Sequence, residues 1–160
     1  MKVNIEFEST DAYGEVSVTS VFAVMEVRQF DYRLVYVEDL SGEGKMTKST
    51  MMMSDRELRI LRTGELDTDF IYGNAMVHHT TYKTPYGVLP VTLETENYEF
   101  HVGRKGDVVS GADSNLQDGE WNGAGLPDDF EIRAETGYKL IMAGQEPLAM
   151  RMKIRITGVA

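Results

Sequence analysis

Tyr82-Lys83-Thr84-Pro85-Tyr86-Gly87 lies between two stretches whose residues alternate in polarity. Pro85 fixes its own φ and pushes Thr84 toward an extended conformation, and Gly87 two residues later is free to take a positive φ. The hexapeptide therefore reads as a tight turn that sets the register of two strands. Before it, His78, Thr80 and Tyr82 run in phase with Met76 in a strand over 75–84. After it, Leu89, Val91 and Leu93 alternate with Val88, Pro90, Thr92 and Glu94, and Pro90 marks an edge or a bulge there. The unit is an antiparallel hairpin, and the rest of the chain repeats it.

Toward the N-terminus, Val3, Ile5 and Phe7 share one face of a half-buried strand, with Lys2, Asn4, Glu6 and Glu8 on the other. The run 14–27 is rich in Val, Ser and Thr, and residues 28–31 connect it to a strand over 32–38, which puts Phe30, Tyr32, Leu34 and Tyr36 on one face. A Gly-rich turn at 41–44 leads to strands near 45–53, 57–62 and 66–72. Toward the C-terminus, Tyr98 and Phe100 continue the β pattern, which residues 103–129 interrupt with a long Gly- and Asp-rich loop holding Trp121. Alternation returns at 130–135 and 148–156, with a further strand expected over 138–143. The best helical candidate, residues 54–58, is one turn opened by an N-cap-like Ser54. The chain reads as an all-β single domain over 1–160, with about eight to ten antiparallel strands. Such strands must close into a barrel or stack as a sandwich to hide their apolar faces and edges, and the hairpin spacing favours the barrel.

Composition narrows the function. A formal charge of −10 disfavours a phosphate backbone, so no nucleic acid is expected as a partner. The basic residues Arg151, Lys153 and Arg155 share a strand face that reads as solvated and paired with Glu131 and Glu135. There is no cysteine, which removes thiolate nucleophiles and zinc-finger sites and agrees with a reducing compartment. No stretch is apolar enough for a signal sequence or a membrane span, so the expected location is the cytoplasm, away from the membrane.

The pieces Tyr32, Tyr36, Val37 and Glu38, then Leu61-Arg62-Thr63-Gly64 leading to Phe70, then Tyr82 to Gly87, occur in the order and spacing of a known pattern. On these residues the chain resembles the YwiB-like family, a bacterial domain of unknown function, over most of its length. The resemblance implies a calycin-like, lipocalin-related β-barrel and, by analogy alone, ligand binding. The 103–129 loop is longer than the connection in that pattern, so no role carries over to it.

Arg62 is the most pointed candidate, because alternation puts it in phase with Leu58 and Ile60, toward the barrel interior. A buried guanidinium stays charged and needs a carboxylate, carbonyls or an anionic ligand for its donors. It reads as an internal ion pair, as a head group reaching the barrel mouth, or as the anchor of an acidic ligand with Tyr32, Tyr36 and Tyr72 as polar partners. Tyr82 and Tyr86 read as register-setting turn residues or as a rim that stacks on a ligand. His78 and His79 point to opposite faces of their strand, and with only His101 elsewhere no metal site or other cofactor is expected. An enzyme built on Arg62, His78 and Tyr82 lacks a nucleophile–base pair, so no catalytic residue is assigned. Trp121 reads as a lid, a contact to a second subunit or simple packing. Met51, Met52, Met53, Met142, Met150 and Met152 suit either an adaptable cavity or a filled core. The leading expectation is a non-enzymatic barrel that binds a small, mostly apolar and possibly acidic ligand, with His78, Tyr82, Tyr86 and Trp121 joining Arg62 and the tyrosines as candidates. The alternative is a filled interaction barrel that forms a homodimer.

Overall fold

The computed structural model describes residues 1–40, 42–106 and 126–159. They form ten strands: β1 (Lys2–Thr10), β2 (Val16–Val27), β3 (Tyr32–Glu38), β4 (Thr47–Met53), β5 (Glu57–Gly64), β6 (Thr68–Gly73), β7 (Val77–Thr84), β8 (Gly87–Arg104), β9 (Phe130–Met142) and β10 (Leu148–Gly158). All pair antiparallel in one sheet of order β6-β5-β4-β3-β2-β1-β10-β9-β8-β7. The sheet curls until β6 and β7 meet, where Asp67 and Lys83 exchange backbone hydrogen bonds of 3.0 Å each way. The result is a nearly closed barrel, which removes most of the exposed edge that ten amphipathic strands would otherwise carry.

Alternation puts the core where the sequence places it. Val3 and Ile5, Leu34, Met51 and Met53, Leu58 and Ile60, Leu93, Ile132, and Ile154 and Ile156 are all buried on the inner phase. The Tyr82–Gly87 turn forms as expected: Thr84 pairs with Gly87, Pro85 and Tyr86 make a two-residue loop, and Gly87 takes a φ of 145°. Pro90 pairs with Thr81, and β9 pairing begins one residue later at Val91, so the proline sits at a free edge of β8.

Four details differ from the sequence reading. Phe30 lies in the β2–β3 turn and is 80% exposed, so it does not share the face of Tyr32. Residues 54–58 are a hairpin turn in which Ser54 Oγ accepts from the Arg56 and Glu57 amides; Leu58, in β5, goes into the core. The strand expected over 138–143 is the second half of β9, which runs unbroken from Phe130. The long loop begins later than 103, since β8 extends to Arg104. Trp121 and most of that loop lie outside the described residues.

Within β8 the register shifts between Thr95 and Asn97, so the inner phase passes from Leu93 and Thr95 to Tyr98, Phe100 and Val102. Asn74 pins this bulge from the β6–β7 turn: its Oδ1 accepts from the Tyr98 amide at 2.7 Å and its Nδ2 donates to the Tyr98 carbonyl at 3.2 Å. Asn97 fills the other side, accepting from the Gly137 amide at 3.0 Å; a Cβ on Gly137 would collide with Asn97 Oδ1.

Candidate functional site

The register across β3, β4, β5 and β6 brings four inner positions into one transverse row, because Tyr36 lies opposite Ser49, Ser49 opposite Arg62, and Arg62 opposite Thr68. Glu38 faces Thr47 in the next row toward the barrel end. Period-two alternation on each strand makes the row point inward, just as it makes the neighbouring row of Leu34, Met51, Ile60 and Phe70 do so. Polar side chains thus gather at one end of a mostly apolar interior.

Their hydrogen-bonding capacity is not used up by the described residues. The side-chain atoms Tyr36 Oη, Glu38 Oε2, Thr47 Oγ1, Ser49 Oγ, Arg62 Nε and Thr68 Oγ1 are buried without a hydrogen-bond partner among the described residues. Arg62 Nε stands 3.7 Å from Glu38 Oε2, an ion pair that is too long for a hydrogen bond. Burial raises the Glu38 carboxyl above its ordinary range, and the attraction of Arg62 only partly offsets that. Tyr36 is pushed well above the usual phenol range by burial and then by the Glu38 charge, with Arg62 and Ser49 opposing. The same arginine acts on Tyr72 and Tyr138. Both are held protonated chiefly by burial, and their rings meet edge to face at 4.8 Å.

Aromatic rings frame this end. Phe7 packs on Tyr36 with centroids 5.9 Å apart, and Phe70 stacks with Tyr82 across the β6–β7 seam at 6.5 Å. Over the seam lies a cleft of about 210 Å³ lined by Arg62, Thr68, Asp69, Thr80 and Lys83 among others. The seam itself is held by His78, whose Nε2 donates to the Asp69 carbonyl at 2.8 Å, while Asp69 takes a two-pronged contact from Arg59. Those Arg59 bonds hold the Asp69 carboxyl below its ordinary range.

Of the residues singled out in the sequence, Arg62 and Tyr36 stand together, Tyr72 and Tyr82 border them, and His78 closes the wall beside them. Tyr32 is at the opposite end, its ring 6.1 Å from that of Phe100, beside a depression of about 740 Å³ that also involves Phe30, Asp55 and Met76. Tyr86 sits on the turn, 98% exposed. Trp121 lies outside the described residues. The site also contains Glu38, Thr47, Ser49, Thr68 and Tyr138, which the sequence reading did not select. The signal was present for three of them: Glu38 is in phase with Tyr36, and Thr47 and Ser49 are in phase with Met51 and Met53.

Residues 3–111 match the family described as Domain of unknown function (DUF1934). The chain belongs to that family. No curated protein matches its sequence. A similar solved structure is the crystal structure of the ywiB protein from Bacillus subtilis, with 17% identity, a TM-score of 0.67, and coverage of 99% of this chain and 91% of that one. The chain therefore has a YwiB-like barrel, as the spacing of its short motifs implied. Among the described residues no helix is long and apolar enough to cross a membrane.

Proposed function

We propose that this barrel is a non-enzymatic binding protein for a small molecule with an apolar or aromatic body and an acidic head. The head would meet Arg62 and the hydroxyls of Tyr36, Thr47, Ser49 and Thr68, and the body would lie against Phe7, Phe70, Tyr82 and Tyr138. The observation that carries this reading is the convergence on one stretch of wall of six buried polar atoms that make no hydrogen bond among the described residues, two of them joined only by the long Arg62–Glu38 ion pair. A buried donor or acceptor left unpaired costs about 1–3 kcal/mol. A ligand that satisfies several at once gains correspondingly, and the half-buried aromatic rings supply apolar contact area. The opposite end is packed with Val3, Ile132 and Ile156, which supports the filled-core reading there. The antiparallel meander supports a calycin-like classification, and the cysteine-free sequence supports a reducing compartment such as the cytoplasm.

Native mass spectrometry of gently purified protein should show bound small molecules, and anilinonaphthalene sulfonate, which pairs an aromatic body with an acidic head, should bind and fluoresce. Arg62→Met should lose the co-purified molecule and weaken the dye at least tenfold. If nothing co-purifies and the dye does not bind, the cluster is structural and the proposal fails.

A further inference from the structure

The pairing of β2 is unequal along its length. It lies against β1 from Val16 to Val24, but it meets β3 only from Val24 to Val27. Residues 16–23 therefore have no strand paired on their outer side among the described residues. The Met25 amide donates to the Met1 carbonyl at 2.8 Å, which fixes the alternation of the ladder. Odd-numbered residues of β2 bond to β1, so Val16, Val18, Ser20 and Phe22 aim their amides and carbonyls at the open side. Apart from Lys2, whose Nζ lies 5.2 Å over the Phe22 ring, the described residues give this edge little of the usual protection. The stretch 16–25 holds no Lys, no Pro and no charge of either sign, and Val16, Val18, Phe22 and Val24 are each more than half exposed.

We infer that β2 is a docking edge, and that its occupant is β2 of a second copy of this chain, paired antiparallel about a twofold axis through Thr19. An edge that pairs with itself must be self-complementary. In this register Val16 lies opposite Phe22 of the copy and Val18 opposite Ser20, so the outward-aimed groups of one chain meet those of the other, about eight hydrogen bonds in all. The apolar side chains on the outer face also meet in β-branched and aromatic cross-strand pairs. Charge sets where a second copy can dock: two chains of net charge −10 repel over most of their surface, and this uncharged stretch is a place where two backbones can approach without opposed acidic side chains.

The test uses the full chain. Sedimentation across the micromolar to millimolar range should show a monomer–dimer equilibrium. Val18→Lys, which places like charges near the axis, should weaken it at least tenfold, while circular dichroism and melting stay those of the parent. Because the chain has no cysteine, Thr19→Cys introduces a single thiol on the twofold axis. Directly opposed residues there have Cα atoms about 4.5 Å apart, within disulfide range. Mild oxidation should therefore link Thr19→Cys into dimers far faster than Lys48→Cys, an exposed site on the outer face of β4. A monomer at every concentration overturns the inference. So does a dimer that Val18→Lys leaves intact, or equal cross-linking of the two cysteine variants.

Discussion

Arg62 shows how far a single residue can be read from its neighbours. Its inward phase follows from Leu58 and Ile60, but its partner does not, because Glu38 lies two strands away and only the β3–β4–β5 register brings it within 3.7 Å. The energetics follow from burial. The raised carboxyl of Glu38 means that the folded chain holds this proton more tightly than the unfolded chain does. Its contribution to stability therefore falls as pH rises from the ordinary carboxylate range through the raised one. Arg62→Met removes the attraction that offsets burial. It should cost about 2 kcal/mol at neutral pH, since a buried charge is left without its partner. The deficit should shrink on acidification as Glu38 takes up its proton, and adding Glu38→Gln should recover most of it. Urea unfolding of the parent, the single variant and the double variant at acid and at mildly alkaline pH measures this. A deficit that is the same at both pH values would rule out Glu38 as its source.

At the scale of elements, hairpins were legible and their irregularities were not. The Tyr82–Gly87 turn carries its geometry in Pro85 and Gly87, so a reading by local rules succeeds. The β8 bulge has no comparable local mark. Leu93 and Phe100 both read as apolar strand residues, and only the Asn74 side chain, reaching across from another turn, shows where the phase changes. For the same reason β9 looks like two strands in the sequence: Gly137 interrupts its apolar pattern, yet the glycine is there to admit the Asn97 side chain. Asn74→Ala would leave the amide and carbonyl of Tyr98 without their partner. The expected cost is about 3 kcal/mol, two backbone groups at roughly 1–2 kcal/mol each. Hydrogen exchange at the Tyr98 amide should quicken more than at Ile132. Unchanged protection at Tyr98 would show that the bulge is held by its ladder alone.

For the whole molecule, strand order was the part least accessible from sequence. Alternation tells that each strand has an inner face, but not that β1 closes against β10, at the far end of the chain, while β6 and β7, neighbours in sequence, meet only weakly. The cause is the β6–β7 turn, where Asn74 and Ala75, the latter at a φ of 57°, divert the chain so that β7 takes its full ladder from β8 instead. The barrel therefore has a seam, and the His78 side chain substitutes there for a missing backbone bond by donating to the Asp69 carbonyl. The seam runs beside the cleft that Arg62 and Thr68 line, so a weak ladder of the wall adjoins the polar cluster. His78→Ala should lower the opening free energy of this region by about 1 kcal/mol, the net worth of one hydrogen bond. In hydrogen exchange, β6 should then exchange several-fold faster while β1 and β10 keep the parent's rates. If the proposed ligand enters at this seam, its association and dissociation rates should rise together, with little change in affinity. Exchange that quickens equally in all strands would mean that the barrel opens only by global unfolding, and that a ligand must enter over the rim near Phe7 and Tyr138.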